Sequence, residues 1–379
     1  MLMNRNLFPL GKAYGQAFCN RVKETGLLVG NIKSGKHTLL IAPRRYGKSS
    51  LAEKAIELSK IPAETANFHL CTSEEEVAAF IKKICTDFIG HNIGKISALL
   101  PMIQSYLKTL TPRVSFFKDT ATLELVSSGK ENYAIAISET LLMLDKLLGE
   151  HNKRGVFFFD EFQEIAHIKQ HGNIEGAIRT AAQEMQNLSI IFSGSIRSLL
   201  VSMFEDESRP LYKLCRKIHL DRISAEDYIA HIQSIAKETW GEHLASQSMT
   251  LILELSNRHP YYINYLCDSI WQLADSLPNE AMIQTAWKQV LTEEWSDAVR
   301  EISLLPMTQR KILKHIAPLS VAQQLTSQNT ARQLRLAASS IASALNALIE
   351  KDYLEFDAET DRYIIINPLL RALMDGVEH

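Results

Sequence analysis

Short apolar runs recur through the first half of the chain, and polar or helix-forming segments separate them. These runs are apolar at consecutive positions, which is typical of strands buried on both faces of a sheet. The segments between them, such as 49–58, 74–89 and 133–148, place apolar residues at helical spacing. Strands that alternate with helices predict an α/β fold, in which a parallel sheet carries helices on both faces. The predicted strands span 37–41, 66–70, 155–159, 188–192 and 217–220.

The pattern changes after residue 220, where strand-like runs give way to helical periodicity. We expect a helical subdomain there, followed from Pro306 by three helix-like segments. The stretches 353–356 and 363–366 then flank a polar turn at 357–361, and helices followed by such a hairpin are typical of a winged helix. The interval 91–130 is predicted to be a helical insertion with a loop near 111–118. The predicted helices of the subdomain span 225–240, 248–255, 260–274 and 279–292, and the predicted domains are 1–221, 222–300 and 301–379.

Composition indicates an ordinary globular protein. Of the 379 residues, 46% are hydrophobic, and the formal net charge is −2, so no overall positive charge favours an anionic partner. The sequence contains no apolar run of about 18 residues and no secretory signal at its start. The five cysteines are scattered and odd in number, which indicates thiols in a reducing compartment. We therefore expect a cytoplasmic protein that does not bind membranes.

Two segments have the spacing of a phosphate-binding loop. Gly30–Lys36 reads G-x-x-x-x-G-K, but a predicted strand follows it, and His37 stands where a metal-binding hydroxyl is expected. Such a loop works between a strand and a helix, because its backbone N–H groups and the positive end of the helix face the same anion. The segment from Ala42 to Ser49 meets that condition, with Ala42 in place of the usual Gly, and the first turn of the helix that it enters also carries Ser50. The predicted nucleotide-binding residues are Pro43, Arg44, Arg45, Tyr46, Gly47, Lys48, Ser49 and Ser50.

The chemistry of two motifs, a Walker A and a Walker B, assigns roles to single residues. Gly47 lies where the backbone must approach the phosphates closely. Lys48 is expected to reach the β- and γ-phosphates, and Ser49 to bind Mg²⁺. The apolar run 155–159 ends in Asp160 and Glu161. Asp160 is expected to bind Mg²⁺ as well, and Glu161 to orient and polarise the attacking water.

In the order and spacing of its motifs, the chain resembles the additional-strand AAA+ nucleoside triphosphatases, in particular the archaeal-type ATPase family of the STAND group. The resemblance extends over nearly the whole chain, and the phosphate loop is its most specific part. It implies a P-loop AAA+-type sheet, a helical lid, a winged helix-turn-helix domain, and ATP rather than GTP as the nucleotide. The matching segments are Phe8–Gly11, Phe18–Arg21, Pro43–Leu51, Asp160–Gln163, Phe192–Ser195, Pro210–Tyr212, His259–Tyr262 and Asn367–Leu370.

The resemblance also implies residues that sense the nucleotide. Phe18 and Arg21 belong to a segment that would line the base side of the nucleotide. His259 and Pro260 match the G-x-P-like element through which the lid senses the nucleotide, although Arg258 replaces its Gly. A proline that opens a helix also has a purely structural explanation, because its ring suits the first helical position.

Further catalytic roles come from the same resemblance. Ser193 or Ser195, at the end of the fourth strand, would be the polar sensor near the γ-phosphate. The arginine finger is harder to assign, because related chains often carry Gly-Arg directly after Pro-Leu-Tyr, and this chain has Lys213–Arg216 there. Arg209 and Arg216 are both candidates. Without a finger, turnover would be slow, because such a residue accelerates hydrolysis by orders of magnitude.

The C-terminal module leaves its partner open. In 337–351, apolar residues form one helical stripe, and Ser339, Ser340, Ser343 and Asn346 lie on the opposite face, where a recognition helix would meet a major groove. From residue 301 onward the chain has eight basic and nine acidic residues, whereas DNA-binding modules usually have a positive excess. Duplex DNA and a protein are both candidate partners, and a nucleotide-dependent homo-oligomer is a further expectation.

The predicted function is an ATP-driven switch with slow, Mg²⁺-dependent hydrolysis, in which ATP and ADP fix different positions of the winged helix. The main alternative is a DNA-associated AAA+ ATPase resembling origin-binding and loader proteins. A non-hydrolysing scaffold is also open. A small-molecule kinase is disfavoured because no acceptor pocket is recognisable. The twelve histidines form no H-E-x-x-H motif or Cys/His cluster, which argues against nucleotide-independent metal catalysis.

Overall fold

The chain forms two compact units, each with its own hydrophobic core. The first, which we call the sheet unit, comprises residues 21–42 and 48–220. The second, the helical unit, comprises the remaining described residues: 6–20, 43–47 and those from 221 onward. The structure is a computed structural model that describes residues 6–94, 96–117, 120–127, 132–319, 322–357 and 360–376.

Up to residue 219 strands and helices alternate, apart from two consecutive helices and a hairpin between residues 74 and 127, and helices dominate after it. The strands are β1 (Thr38–Ile41), β2 (Ala63–Asn67), β3 (Leu110–Phe117), β4 (Thr120–Ser127), β5 (Gly155–Asp160), β6 (Leu188–Phe192), β7 (Arg216–His219), β8 (Leu354–Asp357) and β9 (Arg362–Ile365). The helices are α1 (Val22–Lys33), α2 (Lys48–Ser59), α3 (Glu74–Asn92), α4 (Ile96–Tyr106), α5 (Tyr133–Glu150), α6 (His171–Glu184), α7 (Arg197–Glu205), α8 (Ala225–Trp240), α9 (Ser246–Leu255), α10 (Pro260–Leu273), α11 (Glu280–Ser303), α12 (Met307–Ile316), α13 (Gln328–Leu334), α14 (Ala338–Glu350) and α15 (Pro368–Asp375).

A parallel sheet with the strand order β2-β5-β6-β1-β7 forms the centre of the sheet unit. This arrangement confirms the predicted fold class. Because β6 lies between β1 and β5, the strand before the phosphate loop is not a neighbour of the strand that ends in the acidic pair. Parallel strands end at the same edge of a sheet, so the segments that follow β1, β5 and β6 leave from one edge.

Phenylalanines fill much of the core beneath that edge. Phe157, Phe159 and Phe192 come from β5 and β6, and all three are fully buried. Phe162, in the short helix that follows β5, contacts Phe192 at 4.7 Å between ring centroids. Aromatic pairs in such tilted and edge-to-face arrangements stabilise a core beyond the area they bury. The aromatic cluster therefore fixes the start of the segment that carries the acidic pair.

The predicted helical insertion at 91–130 is only partly confirmed. Helix α4 is present, but the predicted loop at 111–118 is largely strand: β3 pairs with β4 as an antiparallel hairpin, and Lys118 lies outside the described residues. In β4, Leu123 and Leu125 are buried, whereas Thr122 and Glu124 are exposed. This period of two indicates a strand with one covered face.

The helical unit consists of helices α8 to α11 followed by the module α12 to α15 with the hairpin β8–β9. The four predicted helices at 225–292 are confirmed, and α11 extends further, to Ser303. It therefore crosses the predicted domain boundary at 300/301. Ala322 forms an isolated antiparallel bridge to Tyr363 of β9, which attaches the segment before α13 to this hairpin. The predicted turn residues 358 and 359 lie outside the described residues.

Two features of composition map simply onto the units. All four tryptophans, at 240, 271, 287 and 295, belong to the helical unit. None of the five cysteines, all of which are described, forms a disulfide. Among the helices of the described ranges, none combines the length and the apolar character that a bilayer crossing needs.

Candidate functional site

Asp160, the last residue of β5, lies at the centre of a hydrogen-bond cluster in the sheet unit. Its Oδ2 accepts a hydrogen bond from Ser49 Oγ at 3.0 Å. Its Oδ1 accepts one from Ser193 Oγ and another from the backbone N–H of Glu161 at 3.1 Å. Ser49 lies in the first turn of α2, and Ser193 directly follows β6. The structure thus brings together the three residues predicted for magnesium binding and γ-phosphate sensing.

Glu161 is held through only one of its two carboxylate oxygens. Oε2 accepts hydrogen bonds from Ser195 N at 3.1 Å, from Ser195 Oγ at 2.7 Å and from Gln163 Nε2 at 2.7 Å. No described residue donates to Oε1. The backbone of Glu161 adopts the left-handed conformation, with φ 52°, which is uncommon for a residue with a side chain. This conformation ends β5 sharply, and the three donors then fix the orientation of the carboxylate.

The Glu161 carboxylate is held in its ionised form. Burial alone would raise its pKa, but the hydrogen bonds from Gln163 and Ser195 and the charge of Lys48 outweigh burial, so the pKa lies below its usual range. Hydrogen bonds to a carboxylate stabilise its charged form. At neutral pH the group is therefore an acceptor for a water proton, held in one orientation.

Gln163 and Gly194 support this carboxylate, and sequence analysis assigned neither of them a role. The Gln163 side chain is fully buried, and its Nε2 donates to both Glu161 and Glu164. A Cβ at position 194 would overlap Gln163 Oε1. Only glycine at 194 therefore leaves room for the Gln163 amide, a constraint that depends on a contact between distant parts of the chain.

Lys48 is the first residue of α2, and its side chain is buried. Its Nζ donates a hydrogen bond to the carbonyl oxygen of Ala42 at 3.0 Å, which lies at the end of β1. Burying an ammonium group is costly unless it is hydrogen-bonded or paired. The Lys48 charge also stabilises the ionised form of Glu161. The lysine, the acids and the serines thus form one electrostatically coupled group in the sheet unit.

The loop Pro43–Gly47 belongs to the helical unit. Pro43 and Tyr46 are buried, whereas the Arg44 and Arg45 side chains are exposed. The Arg45 guanidinium lies over the ring of Tyr261 at 4.0 Å from its centroid, and the ring of Tyr46 packs edge-on against the imidazole of His259, with centroids 5.0 Å apart. The loop therefore contacts the start of α10 directly.

His259 and Pro260 have clear structural roles in this unit. His259 is the N-cap of α10: its Nδ1 accepts a hydrogen bond from the backbone N–H of Tyr261 at 3.3 Å. Pro260 occupies the first helical position, which its ring favours. Burial, together with the nearby charges of Arg222 and Arg45, lowers the pKa of His259 to about 3. The imidazole is therefore neutral at physiological pH.

The residues predicted to line the base side divide between the two units. Phe18 is half-buried and directly follows the short helix Gly15–Ala17 of the helical unit. Arg21 belongs to the sheet unit, where its buried guanidinium pairs with Glu24 at 2.9 Å. The Arg21 guanidinium is therefore engaged within its own unit.

The two arginine-finger candidates differ in their surroundings, and neither lies in the cluster around Asp160. Arg209 forms a two-pronged ion pair with Glu175, whose side chain is fully buried. Arg216 is exposed and opens β7, where it is opposite Thr38, the first residue of β1. Three residues of strand, about 10 Å, separate this position from Ile41 at the carboxyl end of β1. The structure therefore does not bring Arg216 to the group of Lys48 and Asp160.

Both the fold and the C-terminal module have counterparts among known proteins. Residues 299–375 match a family model described as "Probable winged helix domain". The structure is similar to the Walker-type ATPase of Pyrococcus abyssi, with a TM-score of 0.69 and 17% identity over 97% of this chain and 99% of that chain. It is also similar to the ORC2 protein of Aeropyrum pernix, with a TM-score of 0.57 and 13% identity over 99% and 97% of the two chains. No curated protein matches the chain in sequence.

These similarities define the class of fold. The parallel sheet with its flanking helices is that of the P-loop ATPases, and a winged helix follows at the C-terminus. At identities this low the similarity shows the fold alone. The activity depends on the residues at the site rather than on the fold.

Proposed function

We propose that the chain is a Mg²⁺-dependent ATPase of the STAND type, which binds ATP through residues 43–50 and uses hydrolysis to switch its winged helix between two positions. In this proposal the domains are those predicted: an ATPase domain at 1–221, a lid at 222–300 and a winged helix at 301–379. The observation that carries the proposal is the orientation of Glu161. Three donors hold Oε2, and Oε1 remains available for a water.

The residues around Asp160 fit a magnesium site. A serine hydroxyl and a carboxylate, Ser49 and Asp160, lie in hydrogen-bond contact. Both are hard oxygen donors of the kind that Mg²⁺ prefers, and such sites typically combine one or two carboxylates with phosphate oxygens and water. When bound, Mg²⁺ would neutralise charge on the phosphates. Ser49 and Asp160 are the two groups that would hold it.

The remaining roles follow from charge and position. Lys48 supplies a fixed positive charge for the β- and γ-phosphates. Glu161 accepts a proton from the attacking water through Oε1 and keeps that water in line, because its own orientation is fixed. Ser193, at the end of the strand between β1 and β5, is the sensor in this proposal. The Ser193 hydroxyl donates a hydrogen bond to Asp160, so a ligand that binds Asp160 would alter this contact. The contact therefore supports a role for Ser193 as a sensor.

The contacts of the phosphate loop support the switch. Arg45 and Tyr46 contact Tyr261 and His259 at the start of the lid helix α10. A ligand shifts a conformational equilibrium only by its difference in affinity for the two states. A nucleotide that changes the loop would therefore change contacts to the lid, with His259 and Pro260 as its sensing element.

Two variants test this function. Lys48→Ala should abolish binding of ATP, measured by calorimetry with Mg²⁺ present. Glu161→Gln keeps the shape of the side chain and should bind ATP with near wild-type affinity but release phosphate at least about 100-fold more slowly. Wild-type turnover in Glu161→Gln would refute hydrolysis through Glu161, and binding of ATP by Lys48→Ala would refute the site itself.

Arg216 would act only between copies of the chain. Its position at the start of β7 is remote from Lys48 of the same sheet unit, so a role as arginine finger requires a neighbouring molecule. We propose a homo-oligomer that forms with ATP and supplies Arg216 in trans. Arg216→Ala should then reduce turnover only at concentrations at which light scattering detects the oligomer.

A second candidate function is the DNA-associated ATPase, and one observation favours it. Ser339, Ser340, Ser343 and Asn346 of α14 are all exposed, as a recognition helix requires. Their hydroxyl and amide groups offer hydrogen bonds but no charge. Fluorescence anisotropy with a labelled duplex tests this function. Binding that Asn346→Ala weakens would support it, and no binding at low salt would exclude DNA in favour of a protein partner.

A further inference from the structure

The backbone of the phosphate loop has two left-handed residues at alternate positions. Arg45 has φ 65° and Gly47 has φ 85°. Alternation of ordinary and left-handed residues turns successive backbone N–H groups toward one side and forms a concave nest for anions. Gly47 adopts this conformation without steric cost, whereas Arg45 does so against its own Cβ. The shape of the loop therefore depends on contacts that hold Arg45.

Those contacts form a closed group of three side chains. The Arg45 guanidinium lies 4.0 Å from the centroid of the Tyr261 ring, and its Nη1 is 3.8 Å from Glu294 Oε2. The Tyr261 hydroxyl in turn donates a hydrogen bond to Glu294 Oε1 at 3.1 Å. Tyr261 lies in the first turn of α10 and Glu294 lies on α11, so two helices hold one arginine. Tyr261 and Glu294 also orient each other through their hydrogen bond.

The adjacent loop residue is held equally firmly. Tyr46 is 2% exposed, and its ring packs on His259, the N-cap of α10. The N-terminal end of α10 therefore fixes the side chains of both Arg45 and Tyr46. A backbone conformation that is unfavourable for arginine persists when its surroundings determine it in this way.

We propose that Tyr261 and Glu294 are positioning residues, which hold Arg45 in the left-handed conformation and so keep the loop N–H groups arranged for the phosphates of the nucleotide. This inference rests on the proposed function, because it assigns how the ATP site is prepared. Arg45 acts through its backbone, and the lid stabilises the shape of the loop before nucleotide binds.

Substitutions at Arg45 separate this role from direct contact with phosphate. Arg45→Ala loses the side-chain contacts and keeps the Cβ that disfavours φ above zero, so we expect about tenfold weaker binding of ATP. Arg45→Gly loses the same contacts but adopts the conformation freely. It should bind within about threefold of wild type. If the guanidinium itself bound phosphate, the glycine and alanine variants would be equally weak, and the proposal would be overturned.

A cycle with Tyr261 tests the partner. Tyr261→Leu should weaken binding of ATP by about fivefold in the wild type and not at all in the Arg45→Gly background. Tyr265→Phe is the matched control, because the Tyr265 hydroxyl bonds Glu293 rather than Arg45, and phenylalanine keeps the ring that packs against Tyr261. It should bind ATP as wild type does. Wild-type affinity in Tyr261→Leu would overturn the proposal.

The two proposals fail in different ways. Calorimetry with ATP and Mg²⁺ on the wild type and Lys48→Ala comes first: a wild type that binds no ATP refutes the proposed function. If the wild type binds and Lys48→Ala does not, the Arg45 pair tests the positioning role alone. Tryptophan fluorescence confirms that each variant is folded. Should Tyr261→Leu fail to fold, the Arg45 variants, which change a half-exposed side chain, still decide the outcome.

Discussion

Gly194 lies directly against the side-chain amide of Gln163, so that a Cβ at position 194 would overlap Gln163 Oε1. Gln163 Nε2 is one of the three donors to Glu161 Oε2. A methyl group added at position 194, just after β6, would therefore displace the buried Gln163 side chain and, through it, the predicted catalytic carboxylate of Glu161.

Gly194→Ala should displace Gln163 and misorient Glu161. We expect turnover of ATP to fall at least about tenfold, because a small misplacement of a catalytic group has large effects on rate, while the affinity for ATP stays near that of the wild type. Phosphate release and calorimetry measure the two quantities. Gly176→Ala, on α6 with open space around its Cβ position, is the control. Unchanged turnover in Gly194→Ala would contradict a supporting role for Gln163.

Asp160→Asn should affect the metal more than the nucleotide. The substitution removes the charge that accepts hydrogen bonds from Ser49 and Ser193 and that would bind Mg²⁺ in the proposed site. We expect the Mg²⁺ concentration at half-maximal turnover to rise at least about tenfold. Binding of ATP without Mg²⁺ should change little. A Mg²⁺ titration like that of the wild type would exclude Asp160 as a metal ligand.

His259 should make the helical unit sensitive to acid. Burial, Arg222 and Arg45 lower its pKa to about 3 in the folded chain, against an ordinary value of 6.5. The unfolded state therefore binds more protons below pH 6.5, so stability is fully present above that pH and is lost as pH falls toward the folded value. At pH 5 the loss from this residue is about 2 kcal/mol.

The variant His259→Asn keeps an N-cap acceptor and removes the titration. Denaturant unfolding followed by tryptophan fluorescence reports on the helical unit, because all four tryptophans belong to it. Between pH 7.5 and pH 5, the free energy of unfolding should fall by about 2 kcal/mol more in the wild type than in His259→Asn. Equal pH dependence of the two proteins would show that the imidazole is not buried in its neutral form.

Arg209 should be required for stability rather than for hydrolysis. Its partner Glu175 is fully buried, and an unpaired buried carboxylate costs about 3 kcal/mol or more. Arg209→Met should therefore lower the thermal stability of the sheet unit, measured by circular dichroism. The double variant Glu175→Leu with Arg209→Met removes both charges and should recover most of the loss. Normal stability together with lost turnover in Arg209→Met would instead indicate a finger.

The sequence predicted correctly those strands in which apolar residues are consecutive. β5 and β6 were readable because their apolar residues are consecutive and their burial is complete. The apolar residues Phe68 and Leu70 suggested a strand at 66–70, but they lie in a short helix after β2. β2 itself is a partly exposed edge strand with a weak apolar signal. The hairpin β3–β4 was missed because Pro112 and mixed polarity obscure its alternation.

The residues of the candidate site were also only partly predictable from the sequence. Asp160, Glu161, Ser49 and Lys48 were predictable, because the chemistry of a phosphate site constrains residues at strand ends. The supporting roles of Gln163, Gly194 and Tyr261 were not predicted, although all three lie in segments that carry the family resemblance, because these roles depend on the contacts of Gly194 with Gln163 and of Tyr261 with Arg45. No periodicity in the sequence records such contacts. They become visible only when backbone positions are known.

The cysteines offer a practical consequence for spectroscopy. Cys85 and Cys267 are buried, and burial raises the pKa of both thiols; burial raises the pKa of the Cys215 thiol as well. Reagents that require a thiolate should therefore react slowly at these three sites. Cys19 and Cys71 are partly exposed and belong to different units, but burial and the nearby charge of Glu76 raise the pKa of the Cys71 thiol as well. A maleimide at neutral pH should therefore label Cys19 first, which places a fluorophore on the unit that carries the phosphate loop without an engineered cysteine.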